Sequence, residues 1–322
     1  MPSTQFLGAS TLLLFGLRAV MSSDDYIKRG DLPTSKWSGR VTLRVDSAMA
    51  VPLDVVITYP SSGAAAYPVL VMYNGFQAKA PWYRGIVDHV SSWGYTVVQY
   101  TNGGLFPIVV DRVELTYLEP LLTWLETQSA DAKSPLYGRA DVSRLGTMGH
   151  SRGGKLAALQ FAGRTDVSGC VLFDPVDGSP MTPESADYPS ATKALAAAGR
   201  SAGLVGAAIT GSCNPVGQNY PKFWGALAPG SWQMVLSQAG HMQFARTGNP
   251  FLDWSLDRLC GRGTMMSSDV ITYSAAFTVA WFEGIFRPAQ SQMGISNFKT
   301  WANTQVAARS ITFDIKPMQS PQ

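Results

Sequence analysis

The chain has 322 residues, room for one large α/β domain or two small ones. Apolar residues make up 46% and charged residues 15%, which excludes an intrinsically disordered chain. With 25 basic against 22 acidic residues the net charge is +3, and the bases are scattered, so nucleic acid is not an expected partner; three Cys and three His are too few and too dispersed for a disulfide scaffold or a metal centre.

Residues 1–23 hold no acid and a single base, Arg18, with hydroxyl residues around an apolar run from Phe6 to Leu17. A run of this length falls short of the roughly 20 residues needed to span a bilayer, and it has the character of a secretory or organelle-targeting segment. Residues 1–38 are therefore read as a targeting or disordered leader, 39–290 as one domain, and 291–322 as a polar tail with one short β-like run, Ile311 to Ile315.

From Val41 onward, apolar strands alternate with helices, the signature of a mostly parallel sheet covered on both faces, an α/β fold. Val41 to Val45 and Val55 to Tyr59 read as an opening hairpin pair. Val69 to Tyr73 is a continuous apolar run typical of a buried central strand. Ile86, Val87, Val90 and Trp93 fall on one helical face that Gly94 ends, and the strand Tyr95 to Tyr100 follows. Asp111 to Gln128 is amphipathic but carries Pro120, which predicts a kink or a split. The strands Leu145 to Met148, Gly169 to Phe173, Leu204 to Thr210 and Trp232 to Leu236 complete the core, and Ser274 to Phe286 reads as a closing helix.

Gly149-His150-Ser151-Arg152-Gly153 is a GxSxG pattern placed between a strand and the helix Gly154 to Phe161, the setting in which a sharp turn lifts a serine hydroxyl off a strand end. A serine needs a base, and in this arrangement the order along the chain is Ser, acid, His. His241 is the histidine downstream of Ser151, in a loop at the carboxyl end of the last core strand. His89 lies within a helix, where a structural role is expected, and His150 adjoins the nucleophile and cannot fold back onto it. Asp174 directly ends the strand Cys170 to Phe173 and is the expected acid. Asp177, out in the following turn, is expected to cap that turn. The expected oxyanion donors are the backbone N–H groups of Arg152 and Phe76, the latter in the loop Asn74-Gly75-Phe76. Trp82, Tyr83 and Phe106 are candidate substrate contacts, because aromatic residues crowd the loops at this edge, the alternative being that they pack those loops onto the core. No dinucleotide or phosphate-loop motif is present, so no cofactor is expected. Cys213 and Cys260 either pair in an oxidising compartment or remain free thiols.

Three stretches resemble the chlorophyllases, plant and algal esterases of the α/β-hydrolase fold. They are Met148 to Lys155, with its unusual Arg152 after the serine, then Asp174-Pro175-Val176-Asp177-Gly178, and Gly240-His241-Met242. The resemblance spans about residues 39–288 and implies Ser151, Asp174 and His241 as the triad. It further implies cleavage of the phytyl ester of chlorophyll, an apolar ester as partner with peripheral membrane contact, and a plastid as destination, the secretory route being the alternative. Two positions depart from the family pattern: Asn74, where His is usual, and Gln243, where an acidic run is common; both are expected at the pocket rim. The same fold carries general lipid and short-chain esterases, acetylhydrolases and cutinase-like enzymes among them, and non-catalytic binding proteins, so the substrate is not fixed by fold.

Overall fold

The structure, a computed structural model, describes residues 25–63, 66–102 and 109–318. The leader segment before residue 25 and the candidate contact Phe106 lie outside the described residues. In chain order the elements are β1 (Thr34–Arg44), β2 (Ala50–Pro60), β3 (Tyr67–Tyr73), α1 (Arg84–Ser92), β4 (Thr96–Asn102), α2 (Asp111–Glu114), α3 (Leu118–Ala130), β5 (Ala140–His150) and α4 (Arg152–Gly163). They continue with β6 (Val167–Phe173), α5 (Ala191–Ala198), β7 (Gly203–Ile209), α6 (Tyr220–Ala226), β8 (Trp232–Gly240), α7 (Pro250–Cys260), α8 (Ser267–Phe286), α9 (Gln292–Ala307) and β9 (Ile311–Ile315).

Among the described residues, nine strands form one sheet in the order β1-β2-β4-β3-β5-β6-β7-β8-β9. The run from β4 through β3, β5, β6 and β7 to β8 is parallel; β1, β2 and β9 pair antiparallel at the two flanks. This is an α/β fold consistent with the α/β-hydrolases. The uninterrupted apolar strands follow from burial on both faces. In β3, Val69, Val71 and Tyr73 enter one core with α3, α4 and α5, while Leu70 and Met72 enter the other with α1, α8 and α9. Pro120 does not kink one helix. The segment splits into α2, a 3-10 turn over Leu115–Tyr117, and α3, and Pro120 occupies the first turn of α3, where its missing N–H is tolerated.

Both boundaries read from sequence move outward. β1 begins at Thr34, and Tyr26 is buried with its ring 4.8 Å from that of Trp93. At the other end the supposed polar tail contributes α9, which buries Phe298 and Ala302, and β9, which pairs with β8 from Trp232↔Ile315 to Leu236↔Ile311. No helix among the described residues is long and apolar enough to cross a membrane.

Candidate active site

Ser151 stands between the last residue of β5 and the first of α4 at φ +59° and ψ −126°, a conformation that costs a non-glycine residue about 1–3 kcal/mol. Small neighbours make the turn feasible. A Cβ on Gly149 would lie 2.2 Å from the Gly153 carbonyl oxygen, and one on Gly153 would lie 2.1 Å from the Tyr73 carbonyl oxygen. The same close approach brings the loop after β3 alongside the serine turn. The Ser151 N–H donates to the Phe173 carbonyl at 3.0 Å, and its carbonyl accepts from the Val176 N–H at 3.2 Å, which fastens the turn to the end of β6.

That strand ends in Asp174, also at positive φ (+38°) and fully buried. A carboxylate in such a place needs donors around it. Oδ1 accepts from the Ala207 N–H at 3.1 Å, and Oδ2 accepts from the Asn214 amide at 2.9 Å and from His241 Nδ1 at 2.6 Å. The other ring nitrogen, His241 Nε2, lies 2.9 Å from Ser151 Oγ. With its proton on Nδ1 facing the carboxylate, the imidazole presents a lone pair to the hydroxyl, the tautomer a general base requires. The three side chains, from the ends of β5, β6 and β8, thus lie in one hydrogen-bonded line at the carboxyl edge of the sheet.

Asp177 is directed elsewhere. Its carboxylate accepts from the Ala191 N–H at 2.6 Å, from the hydroxyls of Ser190 and Thr192, and from Lys222 Nζ at 2.8 Å, so it anchors the start of α5 rather than its own turn. Burial pushes this carboxyl up, but those hydrogen bonds together outweigh it and hold the group below the usual aspartate value.

Behind the base runs a second chain of hydrogen bonds. The Gly75 N–H donates to the Tyr83 hydroxyl at 2.9 Å, that hydroxyl is 3.0 Å from His150 Nδ1, and His150 Nε2 is 2.9 Å from the His241 carbonyl. Only a donor can face that carbonyl, so His150 carries its proton on Nε2 and accepts the Tyr83 hydroxyl proton on Nδ1. Burial and the adjacent His241 ring, 4.6 Å away between centroids, hold the His150 pKa well below the ordinary imidazole value. A neutral ring therefore ties the loop carrying Phe76 to the backbone of His241.

Tyr83 is accordingly not a substrate contact: it is 1% exposed and its polar end is consumed by this chain. Trp82 is half-buried against the core and its carbonyl accepts from the Arg246 N–H, whereas Phe76 is 40% exposed. Gln243 is also displaced from the expected rim. It is buried, its Oε1 accepts from the Gly240 N–H at 2.7 Å, and its Nε2 donates to the Met265 carbonyl, which fixes the turn that carries His241. Asn74 instead spans towards β4, donating to the Tyr100 carbonyl at 2.7 Å and accepting from Gln99 at 3.1 Å. His89 is buried, with Nε2 donating to the Tyr26 carbonyl.

Sequence reasoning missed two supports. Asn214 is the amide that orients Asp174, and it adjoins a disulfide joining Cys213 to Cys260, so the paired alternative holds. Arg152, beyond its backbone N–H, bridges Asp111 at 2.8 Å, Glu114 at 2.7 Å and the Val109 carbonyl at 2.9 Å, while Lys155 meets Asp111 at 2.9 Å. Two cations and two carboxylates thereby lock α4 to α2, an arrangement stable in a buried place because each charge is matched. Acidic residues at Asp111 and Glu114, one turn apart at a helix start, were the available signal. Among the described residues no group of three or more His, Cys, Asp or Glu is placed to hold a metal ion.

Comparison with known proteins agrees with this architecture. The chlorophyllase family model matches residues 25–306. The chain is 26% identical over 275 residues to chlorophyllase-1 of Arabidopsis thaliana, covering 79% of this chain and 82% of that protein. It is 27% identical over 259 residues to chlorophyllase-1, chloroplastic, of Citrus sinensis, covering 77% of each. A chlorophyllase type 0 of Chenopodium album is 25% identical over 207 residues, 60% of this chain and 59% of that protein.

Proposed function

The chain belongs to the chlorophyllase family, and from that premise we propose that it is a serine carboxylesterase hydrolysing the phytyl ester of chlorophyll to chlorophyllide and phytol. The observation that carries this reading is the line Ser151 Oγ, His241 Nε2, His241 Nδ1, Asp174 Oδ2, with both contacts at hydrogen-bond distance.

In the first half-reaction His241 Nε2 takes the Ser151 proton as Oγ attacks the ester carbonyl carbon. Asp174 holds the imidazole in register and balances the imidazolium charge without itself taking the proton. The carbonyl oxygen becomes an oxyanion facing the N–H groups of Arg152 and Phe76. Arg152 is the first residue of α4, where helix N–H groups have no intrahelical partner and the helix dipole favours negative charge. His241 then gives its proton to the leaving phytyl oxygen, the C–O bond breaks, and an acyl-Ser151 remains. Water attacks that ester, giving its proton to His241, and the second collapse returns the proton to Ser151 Oγ and frees the carboxylic acid. No step requires a metal or a cofactor. The plastid remains the proposed destination, supported by the hydroxyl-rich, acid-free start of the chain and by the word chloroplastic in the name of the Citrus relative.

The test is chlorophyllide release from chlorophyll, run beside cleavage of a nitrophenyl ester and labelling by a serine-directed phosphonate. Wild type should give all three and Ser151→Ala none. Cleavage of the nitrophenyl ester alone would replace the pigment reading with a general esterase, and absence of a covalent adduct on wild-type Ser151 would remove the enzyme altogether.

A further inference from the structure

We propose that the outer face of α7 is a docking surface for anionic lipid, which seats the protein on a membrane with the carboxyl edge of the sheet towards it. The inference deepens the proposed function and rests on it for its purpose, since an ester with a long apolar alcohol partitions into bilayers; the surface itself is read from the helix alone.

The charged groups of α7 divide between its two faces. It carries two acids, and both turn inward to partners: Asp253 accepts from the Thr247 N–H at 2.8 Å, and Asp257 accepts from Arg246 Nη1 through both oxygens at 3.1 and 3.0 Å. What faces outward is apolar and cationic. Phe251 is 75% exposed, Leu259 65% and Trp254 45%, with Leu252 beside them, and Arg258 and, just past the helix end, Arg262 are exposed. The rings of Phe251 and Trp254 stack 6.1 Å apart, and the Arg258 guanidinium sits 5.7 Å from the Trp254 ring centroid. Aromatic side chains with neighbouring arginines suit the boundary between headgroups and acyl chains, where the ring enters and the guanidinium meets phosphate. A buried protein interface would bring these unpaired cations into an apolar contact at a cost; an anionic lipid surface neutralises them.

Position supports the assignment. Cys260 is bonded to Cys213, next to the Asn214 that holds Asp174, and Arg246, which grips Asp257, donates its N–H to the Trp82 carbonyl. The helix is thus fixed both to the loop of the acid and to the segment that follows the base, so lipid contact at α7 presents the triad's edge of the sheet to the bilayer.

The experiment measures full-length protein against phosphatidylcholine vesicles with and without 30% phosphatidylglycerol, by flotation and by turnover. Wild type should float with the anionic vesicles and only weakly with the neutral ones. Phe251→Ser/Trp254→Ser/Leu259→Ser should weaken binding at least tenfold, and Arg258→Gln about fivefold on anionic vesicles alone. Both variants should cleave a soluble nitrophenyl ester at the wild-type rate while losing turnover of chlorophyll carried in vesicles. Equal flotation of wild type and triple variant, or equal affinity for neutral and anionic vesicles, would overturn the proposal. So would a wild-type dimer dispersed by the triple variant that ignores vesicles, because the face would then belong to a second copy. Loss of flotation with soluble-ester turnover intact concerns this surface only, whereas flotation without any ester turnover by wild type would instead sink the hydrolase reading.

Discussion

Replacing Asp174 by Asn separates the two carboxylates of the 174–177 segment by their physics. Every group around Asp174 donates: the Ala207 N–H, the Asn214 amide and His241 Nδ1. A carboxamide offers one acceptor oxygen and one NH2, so at least one donor must face another donor. If the NH2 falls towards His241, the imidazole shifts its proton to Nε2 and can no longer accept from Ser151. Loss of the tautomer alone is expected to lower kcat by about four orders of magnitude, or about 5 kcal/mol of transition-state stabilisation. Asp177→Asn disturbs a carboxylate that secures α5 and Lys222, so its cost of about 1–3 kcal/mol should fall on folding and leave kcat per folded molecule near wild type. The assay is steady-state hydrolysis of a nitrophenyl ester, normalised by the concentration of folded protein, with urea unfolding in parallel. Equal kcat losses in the two variants would refute the reasoning.

Three other outcomes can be checked on the same protein. Tyr83→Phe removes the acceptor for the Gly75 N–H and the donor to His150 Nδ1, and should lower kcat about tenfold with KM little changed; an unaltered kcat would show that the neutral chain behind the base has no part in the chemistry. Burial holds the His89 pKa at about 4 against 6.5 in the unfolded chain, so the unfolded state binds the extra proton first: stability is whole above about pH 6.5 and is lost as the pH falls towards 4, by about 3 kcal/mol, and urea midpoints of wild type and His89→Gln should converge across that window. Cys213→Ser opens a loop with a sequence separation of 47 and should destabilise by about 4 kcal/mol, and wild type in reductant should then match the variant in urea unfolding.

Much of the sheet was legible because β3 and β6 carry continuous apolar runs, Val69 to Tyr73 and Cys170 to Phe173, and a strand buried on both faces leaves that trace. Ser151 and His241 were legible because the motif and the order along the chain constrain them. Less legible was anything resting on a partner distant in sequence. Asn214 sits in a Gly-Ser-Cys-Asn-Pro stretch that reads as an ordinary turn, and only the fold brings its amide to Asp174, 40 positions away. Tyr83 looked like a pocket aromatic because a ring's apolar body is visible in sequence and the destination of its hydroxyl is not. The segment after Arg287 was under-read for another reason. Ile295, Phe298 and Ala302 do recur at helical spacing, but Asn, Ser and Thr between them dilute the pattern, and α9 is stabilised by packing on α8 more than by its own propensity.

The antiparallel strand β9 has a consequence for anyone trimming this protein. It occupies the rim of β8, the strand whose far end delivers His241, and satisfies a row of amides and carbonyls there. A chain cut after α8 would leave that row bare as a template for recruiting strands from other molecules. Such a truncation would fail through clumping and poor recovery from expression, and a preparation inactive for that reason would say nothing about the hydroxyl, the imidazole or the carboxylate.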